Sequence, residues 1–414
     1  MVQVQSREAA AGPLPITVRA DIPRTRNQSE DRAALTANLH APSRSAASRT
    51  RILLRRLHLC LGLSLGLLFA LLGATGSMLV FYTDIDAALH PAVHSDHAGS
   101  TPDLRSPAWD RALATGRARW HDAGGKWSFE VTNAGEPIQA RYYPAPGHRG
   151  EREMVWFSPD GSRILRAEPW GGYLMSWIYE LHMQLLAGAA GEQVVGWSGV
   201  AMMFLLVSGM AAWWPRGTWR KAIAVKRGAA PIRRIRDLHK LSGLASFGLL
   251  LVLVATGVLL ALPPVTQALF RPTAIPDPKP IVHRAEPIDI VHALAVAQRA
   301  MPDGRLRFFD MPSAPDAPIR ARFQVPGDPH RRFPGSYVFI DRFSAKILAV
   351  HDVRNGNTGT QWVSWVRPLH DGSVCGLATR MLAVLIGLTP AFLFGSGLLH
   401  WLRRRSAARA ARGA

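Results

Sequence analysis

The chain has 414 residues, 48% of them hydrophobic, with 49 Lys and Arg against 29 Asp and Glu and a formal net charge of +20. The surplus is confined to three stretches: residues 1–56, 215–240 and 402–414 carry excesses of 6, 8 and 5, each beside an apolar run, so the charge does not form a nucleic-acid-binding patch and nucleic acid is excluded as a partner. Two cysteines, Cys60 and Cys375, supply neither the four thiolates of an iron–sulfur cluster nor a C-x-x-C-H haem attachment.

Residues 1–50 are rich in Arg, Ser and Ala without an apolar period and read as a disordered cytoplasmic arm. A first span follows over 51–82; its apolar run, Leu57–Tyr82, is long and starts late, which favours a retained span over a cleaved signal. Residues 83–175 form an outer module, with an amphipathic helix at Ser106–His121, strands at Trp127–Val131, Ile138–Tyr143 and Met154–Phe157, a turn at Pro159-Asp160-Gly161 and a strand at Ile164–Ala167. Residues 176–216 hold an outer helix and the second span, apolar over Val194–Trp214, 217–236 a cytoplasmic loop, and 237–262 the third span. The second outer module, 263–362, repeats the first with a helix at Pro287–Met301 and strands at Leu306–Phe309, Ile319–Val325, Tyr337–Ile340 and Ile347–Val350. An outer segment and the fourth span fill 363–402, and 403–414 is a basic cytoplasmic tail. Because the three basic stretches lie on one side of a four-span chain, the positive-inside rule places both termini in the cytoplasm and both α+β modules outside.

The halves repeat. His58 precedes Thr75-Gly76, and His239 precedes Thr256-Gly257, by 17 residues; His182 and His370 precede Ser208-Gly209 and Ser396-Gly397 by 26; Arg216 and Arg404 follow their histidines by 34. The segments S-W-I-Y-E-L-H at Ser176–His182 and S-W-V-R-P-L-H at Ser364–His370 carry the same pattern. The predicted fold is therefore a membrane protein, a four-helix transmembrane bundle built by tandem duplication of a span–outer domain–span unit, its halves related by an axis along the membrane normal. That axis pairs His58 with His239 near the cytoplasmic face and His182 with His370 near the outer face.

Two symmetry-paired histidine sets suit iron porphyrins, whose axial positions each accept an imidazole nitrogen, so two haem b groups are the expected cofactors, with these four residues as iron ligands. A single Leu-His at a span boundary is also read as an interfacial polar residue. Gly62 and Gly243, one turn after His58 and His239, leave room for a flat macrocycle or for close helix packing. Arg55, Arg56, Lys240, Arg216 and Arg404 are placed to pair with propionates or to act only as topology determinants. His400 has no mate in the repeat and is the alternative ligand on the cytoplasmic side. Trp177 and Trp365 read as interfacial anchors. His90, His94, His97, His283, His330 and His351 read as solvent-exposed loop histidines. Bis-imidazole iron has no open position, which leaves electron transfer as its chemistry. The chain shows no fingerprint for flavin or NAD, so a quinol or a cytoplasmic reductase must supply the electrons.

The motifs R-R-L-H-L-C-L-G-L at Arg55–Leu63, W-W-P-R at Trp213–Arg216, D-L-H-K-L-S-G-L at Asp237–Leu244 and Leu369-His370 before the fourth span resemble those of the PepSY-associated transmembrane family over about 51–405. The resemblance implies PepSY-like periplasmic modules, a multi-pass protein of the bacterial inner membrane in contact with lipid, and oxidoreductase activity on ferric siderophores or other ferric chelates for iron uptake. The alternative function is a non-enzymatic membrane PepSY protein that binds or regulates a peptidase or envelope partner. Transport is disfavoured because the spans lack acidic residues at mid-depth.

Overall fold

A computed structural model describes residues 46–95, 104–121, 125–131, 136–144, 151–215, 217–224, 228, 230–280, 286–312, 314 and 316–413. Two units are distinguished, 1–50 and 51–414; apart from residues 46–50, which open the first helix, the expected arm lies outside the described residues. The second unit contains a sheet domain and a set of apolar helices.

The apolar part begins with α1 (Ala46–Ser64) and α2 (Gly66–Leu79), continues in the short helices α3 (Tyr82–Leu89) and α4 (Pro91–Ser95), and the sheet domain opens with α5 (Ala108–Arg119). Strands β1 (Lys126–Glu130), β2 (Ile138–Tyr143), β3 (Glu153–Phe157) and β4 (Ile164–Pro169) follow, then α6 (Leu174–Gln184), α7 (Gly188–Trp213), α8 (Trp219–Ile223), α9 (Pro231–Ala261) and α10 (Pro263–Phe270). The second half adds α11 (Ile290–Ala300), β5 (Arg305–Met311), β6 (Ile319–Gln324), β7 (Ser336–Ile340), β8 (Ile347–His351), α12 (Thr358–Asp371) and α13 (Leu377–Gly413).

Helices α7, α9 and α13 are each long and apolar enough to cross a bilayer. The expectation of one helix over Leu57–Tyr82 needs correction: α1 and α2 meet at a 60° bend, so the pair is a fourth span only if taken together. The break has a local cause. Ser64 Oγ turns back to the Cys60 carbonyl at 2.9 Å, which competes with the helical ladder, and Gly66 lets the Phe394 ring press where a side chain would stand. Leu67, Phe392 and Leu385 remain exposed on the outside of these helices, as lipid-facing residues do. Helix α2 packs on α13 and α6, and α9 packs on α7, α13 and α12.

The two modules expected from the sequence have their strands where alternation placed them, but they are not separate. All eight strands form one antiparallel sheet in the order β4-β3-β2-β1-β5-β6-β7-β8, because β1 and β5 pair with Phe129 opposite Phe309. The order reads the same from either edge. Pairing the first strands of the halves removes two exposed edges and lets both modules share one core. Trp109 of α5 and Leu294 of α11 cover one face together with Phe129, Phe309, Phe157 and Phe323, all at 0–1% exposure. Asp289 caps α11 through the His292 amide at 2.7 Å, and Asp110 of α5 accepts from the Ile290 amide at 2.8 Å, so the first half helps to cap the second half's helix. On the opposite face Met154 and Trp156 pack with Tyr173, Met175 and Ile178, with Leu79, Tyr82 and Ile85 around them. This contact seats the sheet over one end of α2 and over α6.

Candidate functional site

The four candidate histidines fall on four different elements: His58 on α1, His182 on α6, His239 on α9 and His370 on α12. Each ring is seated on another helix of its own half. His58 Nδ1 donates to the Leu205 carbonyl of α7 at 3.0 Å, His182 Nδ1 to the Leu72 carbonyl of α2 at 3.0 Å, and His370 Nδ1 to the Leu253 carbonyl of α9 at 2.9 Å. His239 Nδ1 lies 3.0 Å from Ser396 Oγ on α13, and the ring also bonds the Leu393 carbonyl.

The four acceptors share a pattern. Leu72, Leu205, Leu253 and Leu393 each stand four residues before a glycine, and a Ser or Thr precedes that glycine. Thr75, Ser208 and Thr256 hydroxyls lie 3.2, 3.4 and 3.4 Å from the corresponding Nδ1 atoms. The glycines make room for the ring edge: a Cβ on Gly76, Gly209, Gly257 or Gly397 would stand 2.8, 2.7, 2.8 or 3.3 Å from the Cε1 of its histidine. Since a carbonyl only accepts, Nδ1 carries the proton and Nε2 keeps its lone pair, the tautomer and orientation that a metal ligand needs.

Across the halves the rings meet in pairs. The centroids of His58 and His239 are 6.4 Å apart with planes at 86°, and those of His182 and His370 are 6.2 Å apart at 41°. Two metal–imidazole bonds of ~2 Å, plus ~1 Å from each ring nitrogen to its centre, would separate the centroids by ~6 Å. Among the described residues no group of three or more His, Cys, Asp or Glu is placed to hold a metal ion. A bare ion at either pair would therefore have two protein ligands, whereas a porphyrin brings its own four nitrogens.

Over residues 55–404 the sequence matches the model of the PepSY-associated TM region. The chain belongs to this family. No curated protein matches it. In this PepSY-associated chain the other sequence candidates divide. A Cβ on Gly62 would have only Leu205 Cδ1 within reach, at 4.0 Å, and one on Gly243 only Leu393 Cδ2, at 3.7 Å, so both faces stay open beside the His58–His239 pair. Arg55 reaches the Ala212 carbonyl at the end of α7 at 3.5 Å, Arg56 and Arg404 are exposed, and Arg216 lies outside the described residues. Lys240 lies 3.5 Å from the buried Asp237. His400 is on α13 with its Nδ1 buried and without a hydrogen-bond partner among the described residues. Trp177 and Trp365 are exposed, as anchors would be.

The loop histidines need one correction. His330 and His351 are buried at 5% and 7% exposure; His351 ends β8, and the His330 Nδ1 accepts from the Arg332 and Phe333 amides at 3.2 and 2.8 Å. Strand alternation and the backbone acceptor role, not solvent, place them. His90 is half-buried near Asp86; the His94 side chain, His97 and His283 lie outside the described residues. Sequence reasoning had the Ser/Thr-Gly pairs only as ruler marks of the repeat. Their constant offset from a histidine was the available signal that they seat its ring.

Proposed function

We propose that this PepSY-associated membrane protein is a di-haem b electron conduit that reduces a ferric chelate, such as a ferric siderophore, on the periplasmic side of the bacterial inner membrane. The observation that carries the reading is the two pairs of neighbouring imidazoles, 6.4 and 6.2 Å between ring centres, each ring tied through Nδ1 to a neighbouring helix so that Nε2 is left free of that contact. In this reading α1 and α2 count as one span, giving a four-helix bundle duplicated in tandem, with both termini cytoplasmic and the sheet domain outside.

His58 with His239, and His182 with His370, would hold the two haems, which would supply one-electron transfer when bound. The chain's own contribution is position. His239 and Leu253, the latter seating His370, are 14 residues apart on α9, which sets the two sites ~21 Å apart along the helix, most of the ~30 Å apolar thickness. The Leu carbonyls fix ring orientation and raise ligand basicity, and the apolar cluster of Phe69, Met202 and Leu250 keeps water from the space between the sites. A quinol, or a cytoplasmic reductase, is the reductant: a quinol oxidised to quinone gives two electrons to two ferric centres and releases two protons. The ferrous product is held less tightly by hard oxygen donors and leaves the chelate.

The purified protein should show reduced b-type α and Soret bands and bind two haems per chain. His182→Ala and His370→Ala should each remove one haem, and His58→Ala and His239→Ala the other. A protein without these bands would leave a membrane-anchored PepSY protein that binds an envelope partner.

A further inference from the structure

The sheet face opposite the helical core holds an unusual crowding of cations. The guanidinium carbons of Arg332, Arg367, Arg141 and Arg322 stand 5.2, 5.7, 5.8 and 5.8 Å from the centre of one ring, Phe333. One carboxylate serves two of them: Glu130 pairs with Arg141 at 2.9 Å and with Arg332 at 2.8 Å. Arg322 and Arg367 have no carboxylate within ion-pair distance among the described residues; Arg322 donates to the backbone carbonyls of Pro334 and of Phe333, the latter at 3.0 Å. Burial holds the Arg322 guanidinium below its ordinary range, and the repulsion of Arg320 and Arg367 is opposed by Tyr337 and Asp310.

The arrangement is held in place. His330 anchors the Arg332 and Phe333 amides, Asp328 accepts from the His330 and Gly335 amides at 3.0 and 2.7 Å, and the His330 Nε2 faces Asp371 of α12 at 3.5 Å. Phe333 is thereby fixed against the helix that carries His370, and Arg367 is one turn before that histidine. Phe333, Arg141, Arg322, Arg332 and Arg367 are half-buried, each keeping part of its surface open. Like charges at this spacing repel unless an anion lies among them, and aromatic faces beside guanidiniums favour a flat, electron-rich partner.

We propose that the guanidinium ring around Phe333 binds an anionic, oxygen-rich aromatic chelate, of the tris-catecholate class, next to the outer histidine pair. The assignment of this ligand as substrate rests on the reductase reading; the binding itself does not. Two uncompensated cations select a trianionic metal complex over a neutral tris-hydroxamate of the same metal and similar size.

The test uses the full-length protein in detergent, titrated with gallium(III) tris-catecholate, gallium(III) tris-hydroxamate and inorganic phosphate. Gallium(III) is not reduced under these conditions, so binding is read whether or not electrons flow, and a failed haem spectrum leaves the result interpretable. The tris-catecholate should bind at least about tenfold more tightly than the hydroxamate, with affinity that falls as salt rises. Arg322→Gln and Arg367→Gln should each weaken it about tenfold or more, and Arg322→Lys, which keeps the charge, should lose less. Equal binding of the neutral complex, or unchanged binding by both glutamine variants, would overturn the proposal. So would displacement by phosphate at equal concentration, or loss of the site in nanodiscs containing phosphatidylglycerol, which would assign the anion to free or lipid phosphate.

Discussion

Replacing each seat glycine by alanine tests the histidine geometry more finely than removing a histidine. A Cβ on Gly76 would stand 2.8 Å from His182 Cε1, where carbon atoms prefer ~3.5–4.0 Å, so the ring must move by ~1 Å. The Nδ1 bond to Leu72, now 3.0 Å, would then pass ~3.5 Å and be lost, and Nε2 would leave the ~0.5 Å tolerance of a positioned ligand. Overpacking of this kind costs ~1–3 kcal/mol, or about 5- to 150-fold in haem affinity. Gly209 and Gly257, at 2.7 and 2.8 Å from their rings, should behave alike, whereas Gly397, at 3.3 Å, requires only a few tenths of an ångström and should cost no more than about threefold. Because the displaced group is a side chain, the fold should survive. The assay is the haem-to-protein ratio beside the thermal midpoint of each variant. Haem loss as severe in Gly397→Ala as in Gly76→Ala, or full haem in all four, would refute the seating argument.

Acid should loosen the sheet domain. Burial pushes Glu130 up, but Arg332 and Arg141 outweigh it, and Lys126 and Arg320 do the same for Asp310, so both carboxylates titrate below their ordinary range. Their stabilisation is complete above the unfolded carboxylate value of ~4 and fades as pH falls through the lower folded values. Thermal melts should therefore be flat from neutrality to about pH 5 and decline below it, with a shallower decline in Glu130→Gln. Phe309→Ala removes a fully buried ring stacked 5.0 Å from Phe129 and edge-on to Trp109 at 5.3 Å; it should cost about 3–5 kcal/mol in denaturant unfolding and loosen the β1–β5 seam. Asp110→Ala uncaps the Ile290 amide of the other half and should cost about 1 kcal/mol by the same measurement.

The strands were legible because half-buried strands alternate: Ile138, Ala140 and Tyr142 face the core while Gln139, Arg141 and Tyr143 do not, and the predicted Ile138–Tyr143 is the observed β2. The spans were legible from length and hydropathy, which carry no information on direction, so the bend at Leu65 stayed hidden. Pairing of β1 with β5 depends on which edges meet across the repeat, and local pattern does not encode that choice. The histidine pairs followed from duplication. Their seats did not, because L-x-x-[ST]-G in an apolar helix, as at Leu205–Gly209, is indistinguishable from ordinary helix-packing sequence until a ring is seen against it. The cation cluster was scattered over β2, β6, the segment before β7 and α12, and only the sheet gathers it.

Each imidazole is fastened inside its own half yet lies beside its counterpart from the other half, and the seam strands β1 and β5 pair antiparallel. A polypeptide consisting of one half alone would thus present a self-matching border, and two copies could rebuild both histidine pairs by symmetry. Joining the copies in a single gene frees each position to diverge, which is what Asp237 opposite Arg56 and His400 opposite Ala212 record.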